Sequence, residues 1–165
     1  MNTFILNTLK IKKATESDWK VILEVLNESK MDFWFTGGEN YKIFYTITDN
    51  NLKEIIGCFA FDLHEKTGIL RSFVLKKNLR GKGIGKHIAD LFIPKLAKEL
   101  NLQQLFLLAD IQEPYVSCPF WEKTIFKKID INNVKDKFFK DYLDLDEIKF
   151  PGFVETRVPF YLEIT

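Results

Sequence analysis

Apolar and polar positions change period several times along the chain, and each change marks an element. Residues 4–12 alternate weakly, which predicts a first strand. Thr15-Glu16-Ser17-Asp18 then offers a cap and acidic first-turn residues, and Trp19, Ile22, Leu23, Val25 and Leu26 recur at near-helical spacing to about Ser29. A helix with one buried face is expected there. MDFWFT at 31–36 predicts a second short helix ended by Gly37-Gly38. The period then shortens. Residues 41–48 and 54–63 are β-branched and aromatic and are joined by Asp49-Asn50-Asn51, which is good hairpin chemistry. A third strand over 69–75, after a turn containing Gly68, completes an antiparallel meander.

From 83 to 100, Ile84, Ile88, Leu91, Phe92, Leu96 and Leu100 form a helical stripe that runs through Pro94, which is expected to kink or locally break it. QLFLL at 104–108 is short and almost wholly apolar, as expected for a strand covered on both faces. A helix at about 118–124, a strand near 126–131, a mixed-charge amphipathic segment at 134–145 and a last strand near 157–163 follow. No repeat, low-complexity tract or linker divides the sequence. It is expected to form one domain over residues 1–165, α+β in class (mixed α/β), with helices packed on a central mixed sheet.

Composition narrows the function classes. Hydrophobic residues make up 46% of the 165 and charged ones 28%, the balance of an ordinary globular chain, which excludes disorder and collagen. No apolar stretch reaches the ~20 residues of a membrane helix, and the opening MNTFILNTLKIKK lacks the basic region and cleavage site of a signal peptide. No membrane partner is expected. The 24 Lys and Arg balance 23 Asp and Glu, and a net charge of +1 is too small for the global field of a non-specific nucleic-acid binder, so no nucleic-acid partner is expected either. Cys58 and Cys118 are too few for a disulfide scaffold and form no CxxC pair. Reduced thiols in a cytoplasm fit best, and no metal site is expected. The 16 Phe point to a Phe-rich core, an aromatic-walled ligand pocket, or both.

The chemistry concentrates in ILRSFVLKKNLRGKGIGKHI, residues 69–88: a strand, a short turn, and a glycine-rich loop opening into a helix. Gly81, Gly83 and Gly85 alternate, so successive backbone N–H groups can approach a ligand with no β-carbon in the way, and the helix behind them adds a positive dipole end. From Lys66 to Ala89 there is no acidic residue, yet Arg71, Lys76, Lys77, Arg80, Lys82 and Lys86 fall inside that span. A nearly neutral chain thus gathers its positive charge where phosphate would bind. A mononucleotide loop GxxxxGK[ST] fails, because Arg80 stands five before Gly85 and His87 follows Lys86. A dinucleotide GxGxxG fails because the third glycine comes one residue early.

Arg80-Gly81-Lys82-Gly83-Ile84-Gly85 resembles the R/Q-x-x-G-x-G/A signature of the GCN5-related N-acetyltransferases (GNAT). LRSFVL looks like that family's fourth strand, Phe120-Trp121-Glu122-Lys123-Thr124-Ile125-Phe126 is similar to its F-Y-E-K-x-G-F segment, and IKKATESDWKVILEVLNES looks like its first strand and helix. The resemblance implies a mixed, mostly antiparallel sheet of about seven strands flanked by helices, with the fourth and fifth strands splayed around a pantetheine arm. It implies acetyl-CoA as co-substrate, with Phe73, Val74 and Leu75 offering main-chain groups to pantetheine and acetyl. Arg80, Gly81, Lys82, Gly83, Ile84, Gly85 and Lys86 would hold the diphosphate, and Lys76, Lys77 and Lys86 are the candidates for the 3′-phosphate, with sequence not choosing among them. The implied reaction is direct acetyl transfer to a primary amine of a small molecule, amino-acid-like in one version, or of a peptide.

A primary amine is protonated at neutral pH and must lose a proton before attack, while the leaving thiolate benefits from gaining one. The tyrosine that serves as acid in many relatives is Trp121 here, and a donor-only indole cannot replace a phenol. Tyr115 and Cys118 lie close by in sequence and are the catalytic candidates, each weighed against a packing role. Ile125 stands where the family has glycine, and the fourth strand lacks the carboxylate some relatives use as base. His64 reads as an exposed hairpin residue with base chemistry as the alternative, and His87 as part of the phosphate helix. Arg71, one of only three arginines, is either an acceptor-carboxylate grip or a solvent-facing strand residue. Phe33 and Trp34, with Phe35, fall where this fold builds its acceptor wall, and read equally as pocket lining or as core packing. The rival reading is a non-catalytic module that binds or senses acyl-CoA. A homodimer or other protein contact through the aromatic C-terminal half is the further partner expectation.

Overall fold

The computed structural model describes residues 8–31, 40–152 and 154–165. They carry strands β1 (Leu9–Lys13), β2 (Phe44–Asp49), β3 (Glu54–His64), β4 (Thr67–Leu75), β5 (Gln104–Asp110), β6 (Lys127–Lys128) and β7 (Arg157–Glu163). These make one mixed sheet of seven strands in the order β1-β2-β3-β4-β5-β7-β6, flanked by helices. The α+β architecture read from the pattern is the one present. No helix among the described residues is long and apolar enough to cross a membrane.

The chain divides into two compact units. The first covers Met1–Asp62 and Leu70–Ile88. Its helix α1 (Trp19–Asn27) follows a turn of 3-10 helix at Glu16–Asp18, where the Asp18 carboxylate accepts both the backbone N–H (2.9 Å) and the hydroxyl (2.8 Å) of Thr15. Ile22, Val25 and Leu26 of α1 are fully buried and join Phe44, Cys58, Ala60 and Val74 in one core. Each of the aliphatic and Phe side chains larger than alanine contributes about 1.5–3 kcal/mol through the apolar surface it removes from water. A second aromatic group comprises Tyr45, stacked on Phe59 at 5.5 Å, with Phe61 and Phe73 edge-on to Phe59. Much of the phenylalanine excess is therefore core. Beyond α1, Lys30 turns left-handed (φ 55°) and Met31 N–H donates back to Leu26 C=O at 3.0 Å, which stops the helix.

The second unit covers Leu63–Ile69 and Ala89–Thr165. β5 pairs antiparallel with β7, from Gln104 opposite Glu163 to Asp110 opposite Arg157. Leu105, Phe106, Leu107 and Ala109 are all buried, so β5 is covered on both faces as its run of apolar residues predicts. Helix α5 (Lys137–Lys149) packs Phe139 on Phe106 at 4.4 Å. Its cap, Asp136, accepts Phe139 N–H at 2.8 Å through one oxygen and the Thr67 hydroxyl at 2.8 Å through the other.

Several boundaries differ from the pattern's expectation. Gly68 lies inside β4, and the turn before it is Glu65-Lys66, with Glu65 left-handed. Pro94 does not end its helix. Helix α2 (Ile84–His87) passes through a π-helical turn at Ile88–Phe92 into α3 (Ile93–Glu99), which places Pro94 in the first turn of α3, where a missing N–H costs little. The strand expected near 126–131 shrinks to β6. The helix expected at 118–124 is the four-residue α4 (Cys118–Trp121), and the amphipathic segment becomes helical from Lys137 onward. The short helix expected at 31–36 lies outside the described residues apart from Met31.

Candidate functional site

β4 supplies one wall of the site. Ser72 sits at φ 53° within the strand, a left-handed conformation that breaks its alternation. At the next turn of the pleat β3 comes unusually near. A β-carbon built on Gly57 would stand 2.5 Å from the Val74 carbonyl oxygen and 2.7 Å from Leu75 Cδ2, so glycine alone fits there. Val74 and Leu75 are buried, and Lys76 N–H donates to Ile56 C=O at 2.8 Å, which fixes where the strand ends.

The following turn is tightly braced. Residues Lys77–Leu79 form a 3-10 turn, with Leu79 N–H donating to Lys76 C=O at 2.9 Å. Arg80 folds its side chain back, donating from Nε to Leu75 C=O and from Nη2 to Ser29 Oγ, each at 2.8 Å. Gly81 and Gly83 then take φ of 72° and 81°, which L side chains rarely adopt. His87 N–H donates to Gly83 C=O at 3.0 Å and opens α2, with Ile84 buried as its anchor. Among the described residues, no hydrogen bond occupies the amides of Gly81, Lys82, Gly83, Ile84 or Gly85. A β-carbon at Gly81 would meet nothing within 4 Å, so this stretch opens outward. Three N–H groups on an outward loop and the two at the start of α2, none engaged among the described residues, make a nest for an anion.

The electrostatics are milder than the run of basic residues suggests, because other elements bring carboxylates to it. Lys76 Nζ pairs with Glu54 at 3.2 Å, Arg71 Nη1 pairs with Asp62 at 2.8 Å, and Glu28 accepts the Lys77 N–H at 2.6 Å. Lys77 and Lys82 are exposed and make no ion pair among the described residues, which leaves their ammonium groups for an incoming anion. Arg71 sits half-buried on its carboxylate partner. Glu54, Asp62 and Glu28 lie at least nine residues from their partners in sequence, and no local signal announces them.

The catalytic candidates belong to the second unit. Cys118 is buried at the start of α4. Tyr115, half-buried, lies in the loop before it and donates its N–H to Gln112 C=O at 3.2 Å. Trp121 is buried, edge-on to Phe120 at 4.9 Å and to Phe126 at 5.3 Å, so the position of the family tyrosine is filled by packing. The turn after it needs no glycine: Ile125 keeps a negative φ, and its N–H donates to Asp90 Oδ1 at 2.9 Å. The sequence alone did not mark Asp110. It ends β5 with its carboxylate on Arg157 Nη2 at 3.0 Å, and Ser117 folds back on it, accepting its N–H at 3.0 Å. Burial pushes the Asp110 carboxyl up, more than the Arg157 charge pulls it down. His64 is exposed and stacks on Phe138 at 5.1 Å. Phe33 and Trp34 lie outside the described residues. No group of three His, Cys, Asp or Glu among the described residues is placed to hold a metal.

Comparison with known proteins settles the class. Residues 10–125 match the model of the acetyltransferase (GNAT) family, and the chain belongs to that family. Among solved structures, it is similar to Rv2747 from Mycobacterium tuberculosis in complex with CoA, with a TM-score of 0.67 and 18% identity over 94% of this chain and 99% of that one. It is similar to the PaiA N-acetyltransferase of Thermoplasma acidophilum in complex with coenzyme A, at 0.62 and 18% over 94% and 98%. It is also similar to N-acetylglutamate synthase from Neisseria gonorrhoeae complexed with coenzyme A and N-acetyl-glutamate, at 0.69 and 13% over 95% of this chain. The chain spans 35% of that synthase's length. No functionally curated protein matches it in sequence.

Proposed function

We propose that the chain, taken as one domain over residues 1–165, is a cytoplasmic acetyltransferase that moves the acetyl group of acetyl-CoA onto a primary amine. The acceptor is a small molecule, amino-acid-like in its simplest form, or a peptide. The observation that carries this reading is the row of amides from Gly81 to Gly85, which are unengaged among the described residues and opened by two left-handed glycines, beside the ammonium groups of Lys77 and Lys82, which make no ion pair among those residues. These groups fit a diphosphate, and the coenzyme A held by structures of similar fold supports reading it as the diphosphate of coenzyme A. Buried free thiols at Cys58 and Cys118 fit a reducing compartment.

Acetyl-CoA supplies an activated thioester. In the transfer, the amine nitrogen loses a proton and bonds to the acetyl carbon, the C–S bond breaks, and the thiolate takes up a proton. Main-chain groups of Phe73 and Val74 line the arm; the Leu75 carbonyl is already held by Arg80 Nε. Arg71, seated on Asp62, is the residue proposed to grip an acceptor carboxylate. Tyr115 and Cys118 are the donors proposed for the leaving thiolate. The Neisseria synthase, solved with N-acetyl-glutamate, lends the amino-acid version its weight.

The test is an amine panel read by release of coenzyme A. Turnover with an amino acid, and loss of that acceptor's saturation in Arg71→Lys with the acetyl-CoA KM unchanged, is the expected result. One observation favours a second reading, a module that binds acyl-CoA without turnover: Trp121 is buried where the family acid stands. Tight coenzyme A binding with no thiol released against any amine would establish it.

A further inference from the structure

Just past helix α1, two side chains reach the turn that precedes the glycine loop. Glu28 Oε2 accepts the Lys77 N–H at 2.6 Å, and Ser29 Oγ accepts from Arg80 Nη2 at 2.8 Å. Arg80 in turn holds Leu75 C=O through Nε at 2.8 Å. A continuous set of bonds thus runs from the end of α1, through Arg80, to the end of β4, and stops one residue before Gly81. The α1 end is itself fixed: Glu28 N–H donates to Glu24 C=O at 3.2 Å and Ser29 N–H to Leu26 C=O at 3.0 Å, while Leu26 is fully buried.

Two features separate this arrangement from an incidental surface contact. The segment it restrains carries Lys77, Arg80 and Lys82 within six residues, none ion-paired among the described residues, and these repel one another and would spread an unrestrained turn. The restraint also uses a carboxylate beside a site read as accepting a diphosphate, where a negative charge by itself opposes the ligand. Glu28 therefore acts through its hydrogen bond, not its field.

We infer that Glu28 and Ser29 are positioning residues for the diphosphate loop, holding residues 77–80 so that the amides of Gly81 to Gly85 are already convergent when the ligand arrives. This rests on the reading of that loop as the coenzyme A site, and the test separates the two. Coenzyme A is titrated calorimetrically into the wild-type chain, Glu28→Ala, Glu28→Gln and Ser29→Ala, with thermal melts confirming each fold. Removing one net hydrogen bond predicts binding weakened about fivefold in Glu28→Ala and in Ser29→Ala. Glu28→Gln keeps an acceptor for the Lys77 N–H and loses the opposing charge, so it is expected to bind as tightly as the wild type or more tightly. Glu28→Ala within about twofold of the wild type, or Glu28→Gln weakened as much as Glu28→Ala, would overturn the inference. A wild-type chain that binds no coenzyme A would instead remove the reading beneath it. Should Glu28→Ala melt early, Ser29→Ala, which leaves the Lys77 amide bonded, decides the question.

Discussion

Gly57 on β3 faces the carbonyl oxygen of Val74 on β4 so closely that a β-carbon on Gly57 would stand 2.5 Å from it. That atom is backbone and cannot swing away, and Leu75 Cδ2 at 2.7 Å closes the other direction. Gly57→Ala therefore has to displace β4 at the residues that lead into the glycine loop. Overpacking of this kind is expected to cost about 2 kcal/mol, seen as a lower urea midpoint with an unchanged slope. It should also weaken coenzyme A binding. An unchanged midpoint and affinity would show that the two strands are not in close register at this point.

Gly81 presents the opposite case. Nothing lies within 4 Å of a β-carbon there, so only its φ of 72° demands glycine. Gly81→Ala is expected to cost about 1 kcal/mol from the backbone alone, and Gly81→Asn less, since asparagine tolerates the left-handed region. Chemical denaturation of the two variants, run side by side, checks the order. Equal stability in alanine and wild type would mean that the loop relaxes to a negative φ.

Asp110 gives a pH signature. Its carboxyl is raised from the ordinary value of 3.8 chiefly by burial, with Arg157 opposing. Below that value both folded and unfolded chains hold the proton, and Asp110 contributes nothing to the pH dependence. Above it the unfolded chain ionises first, so stability falls as pH rises, until the folded carboxyl has ionised as well and the loss is complete. Asp110→Asn removes this group from the titration. The stability of the wild type relative to Asp110→Asn is expected to decline with rising pH across that acidic window and then level off. Denaturant midpoints over the acidic range measure it, and a difference that rises with pH would reverse the sign of the shift.

What the sequence made legible was local. The glycine spacing and the basic turn lie within a dozen consecutive residues, and their conformation follows from residue types that tolerate few others. The run of Leu105, Phe106 and Leu107 announced β5 because burial on both faces leaves no polar alternation to misread. What escaped were relationships across distance. Gly57 reads as an ordinary strand glycine until β4 is laid against it. Glu28, Glu54 and Asp62 look like unremarkable acids, yet they engage the positive segment through Lys77 N–H, Lys76 and Arg71. Pro94 was legible as a disruption, but a π-helical turn is only one of several ways to absorb a missing N–H, and the sequence does not choose among them. The short β6 misled for another reason: Phe126 is buried beside Trp121, not paired in the sheet, although its neighbours look like a strand.

The nest at Gly81 to Gly85 is tested most directly by titrating coenzyme A into the full chain and into Gly83→Val, with melting curves to confirm that both are folded. A saturable one-to-one heat with a dissociation constant in the micromolar range, lost when valine blocks the left-handed position, is the expected outcome. A flat titration of the wild-type chain, or an identical isotherm from the folded valine variant, would contradict it.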